Sequence, residues 1–141
     1  MNRINWKRVW IGTVVGFIGW AAWSTLCNLV GIGDRYQAAQ QAGQFLMEPR
    51  YPFFMGAWFV FLFLLSLIVV WLYAAARATL GAGPKTALLL GVVVGFAIAV
   101  PENFAMAAWS PAPRVFPLWW MLELWVGAVI AAFLGAWLYR D

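Results

Sequence analysis

"FFMGAWFVFLFLLSLIVVWLYAAA", residues 53–76, carries no charged side chain, and Ser66 is its only aliphatic hydroxyl. At 1.5 Å per residue a helix of this length crosses the roughly 30 Å hydrocarbon core of a bilayer and satisfies its own backbone groups there. Three further stretches pass the same test: Val9–Val30, Thr86–Trp109 and Phe116–Tyr139. The expected fold is therefore all-α: an integral membrane four-helix bundle, forming a single transmembrane domain over residues 1–141.

The totals agree with this. Of 141 residues 65% are hydrophobic and 10% charged, with a mean hydropathy of +0.82, whereas about a quarter of the residues of a soluble domain are charged. The net charge of +4 is spread over helix ends without a basic run, which argues against nucleic acid as a partner. The first span follows Arg3, Lys7 and Arg8 but is too long for the apolar core of a secretory signal, and it reads as a retained anchor. Lys and Arg then set the orientation. Arg3, Lys7, Arg8, Arg77, Lys85 and Arg140 fall on one face and Arg35, Arg50 and Arg114 on the other, so the positive-inside rule puts both termini in the cytoplasm of a multi-pass protein of the bacterial inner membrane.

The chain echoes itself. "GTVVGF" (12–17) matches "GVVVGF" (91–96), "EPRYPFF" (48–54) resembles "APRVFPLW" (112–119), and "VWLYAAAR" (70–77) resembles "AWLYRD" (136–141). Three echoes in the same order suggest a duplicated helical hairpin, residues 1–80 and 81–141, with both copies entering from the same side. The first copy has the longer outer loop, "GDRYQAAQQAGQFLMEPRYP" (33–52). There Gln37, Gln40, Gln41 and Gln44 share a helical face opposite Ala39, Ala42 and Leu46, with Asp34 placed as an N-cap, a pattern suited to a short helix lying on the membrane surface.

Association in lipid needs close backbone approach. Small residues at four-residue spacing occur at Gly12 and Gly16, at Gly91, Gly95 and Ala99, and at Gly127, Ala131 and Gly135, and these are the expected helix-packing positions. Most of the eleven tryptophans flank the spans, where they serve as interfacial anchors together with Tyr73 and Tyr139. Trp20, Trp23 and Trp125 lie deeper, where a buried indole N–H needs an acceptor.

"AIAVPENFAMAAW" (97–109) places a proline, a carboxylate and a carboxamide inside the third span. Glu102 should lie roughly 10 Å below the outer end of that span, and Glu123 roughly 9 Å down the fourth. Pro101 removes a backbone donor and is the expected kink. Glu102, Glu123, Asn103 and Asn28 are thus the candidate polar intramembrane site. Two readings stand beside each other: the acids bind a proton or cation, or they make hydrogen bonds between helices or subunits, with Glu102 alternatively opening a new helix after a break at Pro101.

Other chemistry lacks its residues. With no histidine there is no usual zinc or haem ligand set and no histidine-assisted nucleophile. "GAGPK" (81–85) lacks the ending of a phosphate loop and reads as a turn, and Cys27 reads as a passive buried thiol. No cofactor and no metal site are expected, beyond contact with lipid or a pigment. The "GPK" central turn and the "GAWLYRD" ending (135–141) resemble those of small four-helix bacterial membrane proteins, a likeness that implies the fold and brings no activity with it. In its Trp-rich, histidine-free composition the chain is similar to accessory subunits of photosynthetic and respiratory membrane complexes. The expected function is a non-catalytic accessory or structural subunit whose partners are lipids and other integral membrane subunits. The alternative is a small carrier or proton-coupled exporter using Glu102 and Glu123, and a membrane enzyme ranks third.

Overall fold

The computed structural model describes residues 4–139, all helix and connecting turns without a strand. Arg3 and Arg140, on which part of the orientation count rests, lie outside the described residues. Helix α1 (Trp6–Leu26) passes through a π-helical turn (Cys27–Ile32) into α2 (Gly33–Gln41), and α3 (Phe54–Leu80), α4 (Pro84–Trp109) and α5 (Val115–Leu138) follow. Four helical segments are long and apolar enough to cross a membrane.

The separate surface helix expected in the first outer loop is instead an extension of the first span, a continuous helical run of 36 residues over Trp6–Gln41. At 1.5 Å per residue this is about 50 Å, well beyond a 30 Å core. Asp34 is not its N-cap, because the chain enters α2 from the preceding helical turn through Ile32, and Asp34 falls within the first turn of α2. Within the π turn, Asn28 Nδ2 donates to the Ser24 carbonyl at 2.9 Å. Beyond the turn, Ile32 and Ala39 pack on Phe116. The apolar face of α2 is therefore spent on the N-terminal end of α5, while Gln37, Gln41 and Gln44 stay exposed.

Helix α5 is the hub. It packs against α1, α3 and α4, whereas α1 and α4 make no close backbone approach to each other among the described residues. The small-residue stripes explain this arrangement. A Cβ on Gly16 would meet Ala131 of α5 at 3.2 Å, and one on Gly91 would lie 2.7 Å from the Val129 backbone of α5. Gly12 and Gly135 sit together under Val70 of α3, and Gly95 is filled by the Trp125 side chain. All the glycine stripes are used within one copy of the chain. Aromatic pairs seal the α1–α3 seam, with Trp10 stacked on Phe63 and Phe17 edge-on to both Phe59 and Phe63.

At the opposite end of the bundle from α2, the start of α1, the end of α5 and the α3–α4 turn are stapled together. The Asn5 N–H donates to the Tyr139 hydroxyl at 2.8 Å, and the Gly83 N–H donates to the Tyr73 hydroxyl at 3.0 Å. The two rings meet edge-on at 6.3 Å, and the Arg77 guanidinium lies 4.9 Å over the Tyr139 ring. Gly81 (φ 87°) and Gly83 (φ 127°) supply the left-handed backbone that this turn requires. Tyr73 and Tyr139 are thus buried fasteners rather than lipid-facing anchors, while Trp6, Trp10, Trp71 and Trp137 remain exposed as expected of a belt. Tyr139→Phe keeps the ring and removes the acceptor of Asn5. It should lower stability by about 1 kcal/mol, read as a drop in the thermal midpoint of the detergent-solubilised protein.

Candidate functional site

Glu123 lies one turn before Gly127 on α5 and is 2% exposed. Its partners all come from the C-terminal half of α1. The Ser24 hydroxyl donates to Glu123 Oε1, and Trp23 Nε1–H donates to the Glu123 backbone carbonyl at 3.0 Å. Ser24 on α1 and Cys27, the first residue of the π turn, are both buried. This is a helix-to-helix fastening: the side-chain bond and the backbone bond both tie α1 to α5. Asn28 stands at the edge of it, exposed, with its amide spent on the Ser24 carbonyl.

Glu102 has the opposite surroundings. It is exposed on α4 and makes no hydrogen bond or ion pair among the described residues. Its neighbour Asn103 is buried, and its amide donates to the Ala99 carbonyl at 2.8 Å within the same helix. The polar cluster in "PENF" therefore splits, with the carboxamide inward and the carboxylate outward. Helix α4 runs through Pro101 without a break, so Glu102 does not open a new helix. Among the described residues no group of three or more histidine, cysteine, aspartate or glutamate side chains is placed to hold a metal ion.

The three deep tryptophans also divide. Trp23 is paired with Glu123, and Trp125 Nε1–H donates to the Val92 carbonyl at 3.0 Å, tying α5 to α4. Trp20 is fully buried against Leu62, Ala128 and Ala131, and its Nε1–H finds no acceptor. Ser66, the lone hydroxyl of the most apolar span, is likewise buried without a partner. Ser24 is the one residue of the site that the sequence did not single out. Its only signal was a hydroxyl four residues before Asn28 on the face that includes Trp20 and Cys27.

No protein family, curated protein or solved structure matches this chain.

Proposed function

We propose that this protein is a non-catalytic accessory subunit of a larger complex in the bacterial inner membrane, one of the energy-converting kind. The observation that supports this reading is the tightness of the interior. A Cβ added at Gly127, Gly135, Gly95 or Gly91 would collide with Trp20, Val70, Trp125 or the Val129 backbone respectively. Helix contacts this close serve rigidity. The buried carboxyl is engaged by a hydroxyl of the neighbouring helix, as a structural fastener is. A carrier that used both acids would want them in one watery cavity, and Glu102 and Glu123 have different surroundings, one exposed and one buried.

The start of α1, the end of α5 and the α3–α4 turn share one end of the bundle, which suits the cytoplasmic side given the basic residues of those segments. We also read the chain as a duplicated hairpin, α1–α3 followed by α4–α5, since the helices of each pair pack on one another. If so, the copies have diverged, because the glycines of both α1 and α4 now face α5.

The test is extraction of the native membranes in mild detergent, separation of the assemblies by size, and a record of their protein content and absorption spectrum. We expect co-migration with a much larger assembly. Migration as a small colourless monomer or homodimer would overturn the reading and direct attention to transport assays on the two glutamates.

A further inference from the structure

We propose that the outward face of α4 around Glu102 is where the neighbouring subunit docks, through a transmembrane helix that presents a lysine or arginine to the Glu102 carboxylate. The inference rests on the accessory-subunit reading and names the contact.

Its first support is backbone chemistry. Pro101 sits within α4 and has no N–H, so the Ala97 carbonyl four residues earlier loses its ladder partner. Ala97 and Pro101 are both exposed. In lipid an unsatisfied carbonyl is costly, and here it stands on the same outward surface as a carboxylate without a partner.

The second support is direction. Glu102 lies seven residues before Trp109, the end of α4, or about 10 Å along the axis. Cα–Cβ bonds tilt toward the N-terminus of a helix. In α4 that is the end stapled to the start of α1 and the end of α5, so the Glu102 side chain starts out toward the bilayer midplane and away from the nearer headgroups. Reaching water by snorkelling works against that geometry.

The third is shape. Ala97, Pro101 and Ala105 follow one another at four-residue spacing and are exposed, as is Ala108, and Glu102 is the i, i+3 neighbour of Ala105. The strip lets another helix come close enough to reach the carbonyl and the acid. It is separate from the inner stripe of Gly91, Gly95 and Ala99, which α5 and the bundle interior cover.

Charge selects the occupant. The described cations of this chain, Lys7, Arg8, Arg35, Arg50, Arg77, Lys85 and Arg114, all lie at helix ends or in connecting segments. Among the described residues, a second copy standing alongside in the same orientation places no basic backbone position at the level of Glu102, so the matching cation is assigned to a different chain.

The experiment places benzoylphenylalanine at Ala105 on this face, at Ile18 on α1 and at Ile68 on α3, all exposed, in the full chain in its native membrane. We expect an adduct from Ala105 alone, its partner peptide mapping to a membrane span that contains Lys or Arg. Glu102→Gln should reduce co-purification of that partner at least about tenfold while leaving the thermal midpoint of the isolated protein unchanged. Reversing both charges, Glu102→Arg with the partner's basic residue changed to Glu, should restore it. Adducts from Ile18 or Ile68 only, with the large assembly intact, would overturn the docking face and leave the accessory reading standing. Lipid adducts only, a second copy as the adduct, or undiminished co-purification of Glu102→Gln would overturn the proposal in the same way. Migration of the wild-type protein on its own would overturn both.

Discussion

Gly127→Ala should destabilise the bundle by about 2 kcal/mol, although it replaces glycine with the best helix former. A Cβ at this position would overlap the five-membered ring of Trp20, with Nε1, Cδ1 and Cε2 as its nearest atoms. Trp20 is completely buried among Leu62, Ala128 and Ala131, so the ring has nowhere to turn and α1 must move away from α5. The intrinsic gain of about 1 kcal/mol from leaving glycine offsets only part of an overpacking cost of about 1–3 kcal/mol or more. Gly56→Ala, where nothing lies within 4 Å, should be neutral or slightly stabilising. Trp20→Val removes the atoms that clash, and it forfeits no hydrogen bond because the Trp20 N–H has no acceptor. The double variant Trp20→Val with Gly127→Ala should therefore be more stable than the sum of the two single changes, by about 1–2 kcal/mol. Equilibrium unfolding in mixed micelles measures all four. Wild-type stability for Gly127→Ala would mean that α1 and α5 are not packed through this contact.

Removing the buried acid altogether should cost more than neutralising it. Glu123→Ala deletes a side chain that is 2% exposed and leaves the Ser24 hydroxyl without its partner. A cavity of that size together with an orphaned hydroxyl costs about 3 kcal/mol. The loss is held to that size because Ser24 can turn back to a carbonyl of its own helix, and because the Trp23 bond goes to the Glu123 backbone and survives. Glu123→Gln preserves shape and an oxygen acceptor for Ser24, so its cost should stay below about 1 kcal/mol. The same unfolding assay separates the two variants. If Gln proves as damaging as Ala, the carboxyl group itself is in use, and Glu123 does more than fasten α1 to α5.

Legibility differed from residue to residue. The spans were readable because each depends on a local sum, the apolar content of about 20 consecutive residues. The buried glycines were readable because only small residues permit close approach in lipid, and Gly12, Gly16, Gly91, Gly95, Gly127 and Gly135 all lie in helix contacts. Glu102 and Glu123 were equally visible as acids at similar depth, yet which of them faces inward was not. These helices are apolar on nearly every side, so hydrophobic periodicity does not mark an inner face. Ser24 was hidden for the same reason. Tyr73 and Tyr139 looked like interfacial anchors because belt residues and terminal fasteners have the same composition.

Length and apolar content alone determined that this chain makes four helices long enough to cross a membrane, since that follows from the cost of leaving backbone groups unsatisfied in hydrocarbon, residue by residue. Tertiary structure decided the rest. It continued α1 through a π turn into α2 because Phe116 of α5 offers Ile32 and Ala39 a place to pack. It made α5 the hub of the bundle, and it turned Glu123 inward to Ser24 while leaving Glu102 outside. Each of these depends on how a helix is rotated about its own axis. That rotation is set by the fit of side chains between helices far apart in sequence, which no stretch of the chain contains by itself.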